Sequence, residues 1–75
     1  MLKKRSISLA GHATSMALEP EFWGALEAMA VAESVNLTLL IGRIDRSRDA
    51  APLASACRLA ALRWALARAA SCEAA

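Results

Sequence analysis

The sequence predicts a mostly helical domain with one short β-strand, which pairs with the same strand of a second chain. Three observations support this fold class. Residues 13–18 alternate between two faces with a period of two, as strands do. Three later segments place apolar residues at helical spacing. The chain is 57% hydrophobic over only 75 residues, and so short a domain is marginally stable alone. We therefore expect part of its core to lie between two chains.

The predicted strand runs from Ala13 to Leu18. Its two faces differ, and we expect the more apolar one in the core. The inward residues are Thr14, Met16 and Leu18, and the outward residues are Ala13, Ser15 and Ala17. A single short strand leaves its edges unpaired. The simplest partner is the same strand of a second copy, antiparallel across a two-fold axis.

Residues 1–12 are polar and basic, and two interpretations stay open for them. Ile7 and Leu9 alternate with serines until Gly11 ends the pattern, so the segment is either a short strand or a flexible arm. Its three cations resemble the start of a signal peptide, but polar residues follow where an apolar stretch belongs. We expect no export, no membrane span and a cytoplasmic location, which fits two free thiols.

Three helices are expected after the strand. The first starts near Pro20, which is tolerated in a first turn, and runs from Glu21 to about Glu33. The second follows the N-cap Asn36 from Leu37 to about Arg46. The core residues expected from these two helices are Phe22, Trp23, Leu26, Leu40, Ile41 and Ile44.

The third helix is expected from near Pro52 to about Ala70, with residues 71–75 as a tail. It is apolar on most sides, which predicts more than one neighbour. We therefore expect three parts: an arm or short strand over residues 1–12, a dimerisation and binding domain over residues 13–70, and the tail over residues 71–75.

Catalytic and metal chemistry find little support in the sequence. Cys57 and Cys72 are too far apart along one helix for a disulfide, and His12 is the only histidine. No grouping resembles a metal site, a catalytic triad or a Gly-rich phosphate loop. We expect no enzyme activity, no metal and no cofactor, with Cys57 a small core residue.

Charge is distributed unevenly along the chain. Residues 1–18 carry three cations and no acid, and residues 19–33 carry four acids and no base. The remainder carries six arginines and three acids. This asymmetry indicates a basic surface formed by the N-terminal segment and the later helices, with the first helix facing away.

The order of these features resembles the ribbon-helix-helix family, which includes MetJ and Arc. A strand, the run Leu18-Glu19-Pro20-Glu21-Phe22-Trp23, a helix, a short turn and a helix capped by Asn36 carry the resemblance. The chain is most similar to the bacterial short ribbon-helix-helix domain proteins over roughly residues 3–66. Further matching segments are Lys4-Arg5-Ser6, Ala10-Gly11-His12, Thr14-Ser15, Ile44-Asp45 and Leu53-Ala54-Ser55-Ala56 with Arg58.

The resemblance implies an intertwined homodimer whose intermolecular two-stranded antiparallel ribbon enters the DNA major groove, with an additional C-terminal helix. Its implied function is transcription regulation. The implied base-facing residues are Ala13, Ser15 and Ala17. The implied phosphate contacts are Asn36, Leu37, Thr38, Lys3, Lys4, Arg5 and His12. The implied dimer core is Thr14, Met16, Leu18, Phe22, Trp23, Leu26, Leu40, Ile41 and Ile44.

One departure from similar sequences keeps a second function open. They often have arginine where this chain has Ala13, so the outward strand face lacks a side chain able to bind a base through two hydrogen bonds. The alternative is a dimer that acts as a protein-interaction module or antitoxin-type partner, with weak or no specific DNA binding.

Overall fold

The computed structural model describes residues 1–74, and it describes side chains for residues 1–70. Two strands and three helices follow in order: β1 (Lys3–Leu9), β2 (His12–Leu18), α1 (Pro20–Ala32), α2 (Leu37–Ser47) and α3 (Leu53–Ala74). α3 thus includes most of the 71–75 segment predicted as a tail. Ala75 and the side chain of Cys72, for which the sequence indicates no role, lie outside the described residues.

The two strands form an antiparallel hairpin within one chain, which corrects the expectation of a single strand. β1 pairs with β2 through a two-residue turn at Ala10 and Gly11, whose φ angles are 50° and 82°. Positive φ at both central positions is the geometry that matches the twist of a hairpin. Because this turn folds residues 3–9 back onto β2, one edge of β2 is paired within the same chain. Residues 1–12 therefore contain a strand rather than an arm.

The hairpin packs one face against the helices. Its register opposes Arg5 to Met16, Ile7 to Thr14 and Lys3 to Leu18. Ile7, Met16 and Leu18 are buried, and Thr14 is half-buried.

α1 is fastened to β1 by its largest side chain. Trp23 is buried, and its indole Nε1 donates a hydrogen bond of 2.8 Å to the backbone oxygen of Lys3. Leu26, Met29 and Ala30 continue the buried face of the helix. Since the indole N–H has a partner, burying this ring leaves no polar group unsatisfied.

α2 and α3 complete the core. Asn36 caps α2 as predicted, its Oδ1 accepting a hydrogen bond of 2.7 Å from the Leu39 amide. α3 packs against both preceding helices and contributes the fully buried Cys57 and the buried Ala61.

The residues predicted for a core between two chains already pack within one. Seven of them are buried and two, Thr14 and Phe22, are half-buried: the seven are Met16, Leu18, Trp23, Leu26, Leu40, Ile41 and Ile44. β1 adds the buried Ile7 to this core. The apolar excess of the sequence lies instead in large side chains exposed on the helices: Val31, Leu39, Leu59, Leu62 and Leu66.

No single helix of the described chain is both long and apolar enough to cross a membrane. α1 and α2 reach that length and composition only as a pair bent by 101°.

Candidate nucleic-acid interface

The face of the hairpin that points away from the helices combines side chains from both strands. Its cross-strand pairs are Lys4 with Ala17, Ser6 with Ser15, and Ser8 with Ala13. All six are exposed except Ala17, which is half-buried. We call these six residues the outer ribbon face.

The chemistry of the outer ribbon face suits a polyanion with polar edges. It carries three hydroxyls and one ammonium, and neither strand contains an acidic residue. Each hydroxyl both donates and accepts hydrogen bonds. The short side chains let a binding partner approach the strand backbone closely, and the alanine methyl groups offer apolar contact of the kind made to thymine.

Two of the six residues of the outer ribbon face, Ser6 and Ser8, were not predicted from the sequence. Lys4 was among the predicted phosphate contacts. Two alternating runs separated by two residues ending in Gly11 are the signal for a hairpin, and this signal was present. It is weakened by Ala10, since alanine is uncommon at positive φ.

Arg5, a predicted phosphate contact, lies on the opposite side of the hairpin from the outer ribbon face. The pleat points it toward the helices, where its Nη1 lies 2.7 Å from Glu27 Oε1 and its guanidinium sits 4.8 Å from the centre of the Trp23 ring. Both its charge and its planar face are engaged within the fold. Arg5 therefore holds β1 onto α1.

Two other predicted contacts share the pleat position of Arg5. Lys3 and His12 alternate with the outer ribbon face along their strands and so point to its opposite side, although both are exposed. The structure therefore separates Lys3 and His12 from Lys4.

The remaining predicted contacts lie at the start of α2, which packs against β1. The amides of Leu37 and Thr38 belong to the first turn, where a helix leaves its N–H groups without intrahelical partners. Asn36 and Thr38 are exposed.

Ion pairs balance much of the charge asymmetry seen in the sequence. Three of the four acids in residues 19–33 contact arginines from other elements: Glu19 with Arg58 at 3.0 Å, Glu27 with Arg5 at 2.7 Å, and Glu33 with Arg43 at 2.8 Å. The pKa of Glu19 is lowered, chiefly by a hydrogen bond from its own backbone amide and further by Arg58. Among described lysine and arginine side chains, those without an acidic partner are Lys3, Lys4, Arg46, Arg63 and Arg68.

Comparison with known proteins identifies the fold. Residues 2–65 match the profile of the family described as "Ribbon-helix-helix domain". The chain belongs to the ribbon-helix-helix domain family. Members of this family typically bind DNA as homodimers. The resemblance inferred from the sequence is thus confirmed.

A solved structure extends the comparison beyond the family domain. An uncharacterized protein from Bordetella pertussis Tohama I shares 33% sequence identity with this ribbon-helix-helix chain, with a TM-score of 0.80. The similarity covers 95% of this chain but only 61% of that protein, so the chain spans about three fifths of its relative. No curated protein matches the sequence.

Proposed function

We propose that this ribbon-helix-helix protein is a cytoplasmic, homodimeric DNA-binding protein that regulates transcription by placing its outer ribbon face against the major groove. The observation that carries the proposal is the composition of that face: small, hydroxyl-rich and free of acids, with Lys4 at one end. Family membership supports the same function.

The dimer is proposed to form along the free edge of β2. β1 carries three cations, which protect an exposed strand edge from pairing, whereas β2 carries no lysine, arginine or acid. A second copy that pairs antiparallel with β2 across a two-fold axis builds a four-stranded sheet, with β2 of each chain at its centre. This proposal retains the expected pairing of β2 between two chains and places β1 on the outer side of each β2.

The width of the groove assigns different roles to the two strands. The major groove is about 12 Å wide and admits two strands. Four strands spaced by roughly 4.8 Å span about 14 Å, so the central β2 pair would enter the groove and each β1 would lie over a phosphate backbone. Ala13, Ser15 and Ala17 then face bases, while Lys4 and the two serines of β1 meet phosphates.

The start of α2 supplies a second phosphate contact in this proposal. The amides of Leu37 and Thr38 and the side chain of Asn36 would bind a phosphate oxygen, as helix N-termini do. Since most of these contacts reach phosphates rather than bases, we expect modest sequence specificity and strong dependence on salt.

The other function that the sequence left open is a protein-interaction module or antitoxin-type partner. It rested on an outward strand face of alanine, serine and alanine. The hairpin adds Lys4, Ser6 and Ser8 to that face, which makes it polar and basic and favours DNA.

Two lysines adjacent in sequence provide the test. Lys4→Ala removes a charge from the outer ribbon face, and Lys3→Ala removes the same charge from its opposite side. Fluorescence anisotropy with a labelled random-sequence duplex at low salt should show several-fold weaker binding for Lys4→Ala and near wild-type binding for Lys3→Ala. Because a dimer carries two copies of Lys4, the salt slope of Lys4→Ala should be smaller by about 2.

Three results would contradict the proposal: equal losses in the two variants, a larger loss in Lys3→Ala, or no binding to DNA by the wild-type protein. Association with a protein that does not weaken with salt, in the absence of DNA binding, would instead support the interaction module.

A further inference from the structure

α3 has two apolar faces, of which the fold uses one. Cys57, Ala61 and Trp64 pack toward the core. On the opposite side Leu59, Leu62 and Leu66 are 47%, 50% and 60% exposed. Large apolar side chains grouped on one surface indicate an interaction site rather than the scattered exposure usual on a protein surface.

These leucines follow the spacing of a coiled-coil seam. With Ser55 before them and Ala69 after them, the intervals are four, three, four and three residues. An apolar repeat of this kind fits its side chains between those of another helix that has the same repeat. We call these five residues the leucine seam.

We propose that the leucine seam docks, antiparallel, on the leucine seam of a second copy of this chain. The contact is self-complementary, so a two-fold axis satisfies both helices at once. A second copy of the chain carries the same seam, so its apolar residues recur at the spacing that this seam requires of a partner helix.

The charges beside the seam select the antiparallel orientation. Arg58 and Arg63 occupy the flanking positions, and residues 53–70 contain no acid. In a parallel pair, Arg58 of each helix would lie beside Arg63 of the other copy, and like charges at these positions repel. In an antiparallel pair that stacks Ser55 on Leu66 and Leu59 on Leu62, the two arginines lie beside Ala65 and Ala56 instead.

The contacts of the two arginines favour a second copy of this chain over a helix of another protein that carries acidic residues. Arg58 is already held 3.0 Å from Glu19 within the chain. Opposite small alanines, the exposed Arg63 keeps its guanidinium in solvent. Neither arginine therefore needs an acidic partner from outside.

This interface is separate from the β2 edge and does not depend on DNA binding. A closed assembly with two-fold axes at both interfaces contains four copies, and one that uses only the seam contains two. Loss of the seam halves the number of copies in either case. The number that remains shows whether the β2 edges also pair.

Light scattering at matched concentration tests the proposal with Leu62→Glu against Val31→Glu. Val31 is an exposed apolar residue on α1, so it controls for the added charge outside the seam. The expected result is a halved mass for Leu62→Glu and an unchanged mass for Val31→Glu, with helical circular dichroism retained in both. An unchanged mass for Leu62→Glu, or equal halving in both variants, overturns the proposal.

Disulfide trapping tests the orientation without a charged substitution, in a Cys72→Ser background. Ser55→Cys with Leu66→Cys should crosslink two copies on mild oxidation, whereas Ser55→Cys alone should not. Cys57 is fully buried and does not compete. Efficient crosslinking by Ser55→Cys alone would indicate a parallel pair, and no crosslink in the double variant would remove the second copy as the occupant.

Discussion

Trp23 should contribute more to stability than any other aromatic residue of the chain. It is only 3% exposed, donates a 2.8 Å hydrogen bond to the Lys3 oxygen and lies under the Arg5 guanidinium. Truncating a buried tryptophan to alanine costs about 3–5 kcal/mol. A domain of this length has roughly 4–11 kcal/mol of total stability. Trp23→Ala should therefore remove about a quarter of the stability or more and release β1 from α1.

Trp64 gives the matched control, because it is only half-buried against the core and has the Arg68 guanidinium 4.6 Å from its ring centre. Urea unfolding followed by far-ultraviolet circular dichroism, at one protein concentration, should give a loss of about 1–2 kcal/mol for Trp64→Ala. Trp23→Phe should fall between the two, since it keeps most of the apolar area but leaves the Lys3 oxygen without its donor, at a cost of about 1–3 kcal/mol. The reasoning is refuted if Trp23→Ala costs no more than Trp64→Ala.

Three further perturbations test local features of the fold. Ala10→Asn should raise the free energy of unfolding in urea titrations, because asparagine tolerates the positive φ that alanine adopts at Ala10. Gly11→Val should lower this free energy by about 1–2 kcal/mol, and the opposite order would exclude this turn. Asn36→Ala should lower the free energy of unfolding by about 1 kcal/mol, because it removes the cap of α2. Asn36→Asp keeps an accepting oxygen and should retain most of this stability. Equal losses in the two variants would show that the side-chain oxygen is not the cap. Burial, and secondarily the charge of Asp45, raises the pKa of the Cys57 thiol to about 11 from 9.0. The unfolded thiol ionises first as pH rises, so the contribution of Cys57 to stability should be constant below about pH 9 and should fall between about pH 9 and 11. The fall in stability over this range should therefore be smaller in Cys57→Ala.

The helices and the buried side of β2 were predictable because their signals are local. Apolar spacing defines the inner faces of α1 and α2, and Asn36 begins α2 through a bond to a residue only three positions away. The alternation that buries Met16 and Leu18 depends on the pleat of one strand, whichever strand lies beside it.

The orientation of Arg5 depends on contacts distant in sequence, whereas β1 joins β2 through a turn of only two residues. Ala10 gives a weak turn signal, because the left-handed conformation it adopts is stabilised by the hairpin as a whole. Arg5 has the composition of a phosphate contact, and only the position of Glu27 and Trp23 across the fold shows that it is engaged. The exposed face of α3 likewise could not be predicted locally, because it depends on which face α1 and α2 cover.

The salt dependence of binding to a random-sequence DNA duplex tests the central claim most directly. Two copies of Lys4 in a dimer predict that the logarithm of the binding constant falls with the logarithm of salt concentration with a slope of about −2, and more steeply where the starts of α2 also bind phosphates. Binding that is absent at low salt, or whose affinity does not change with salt, would contradict the proposal that the outer ribbon face binds DNA.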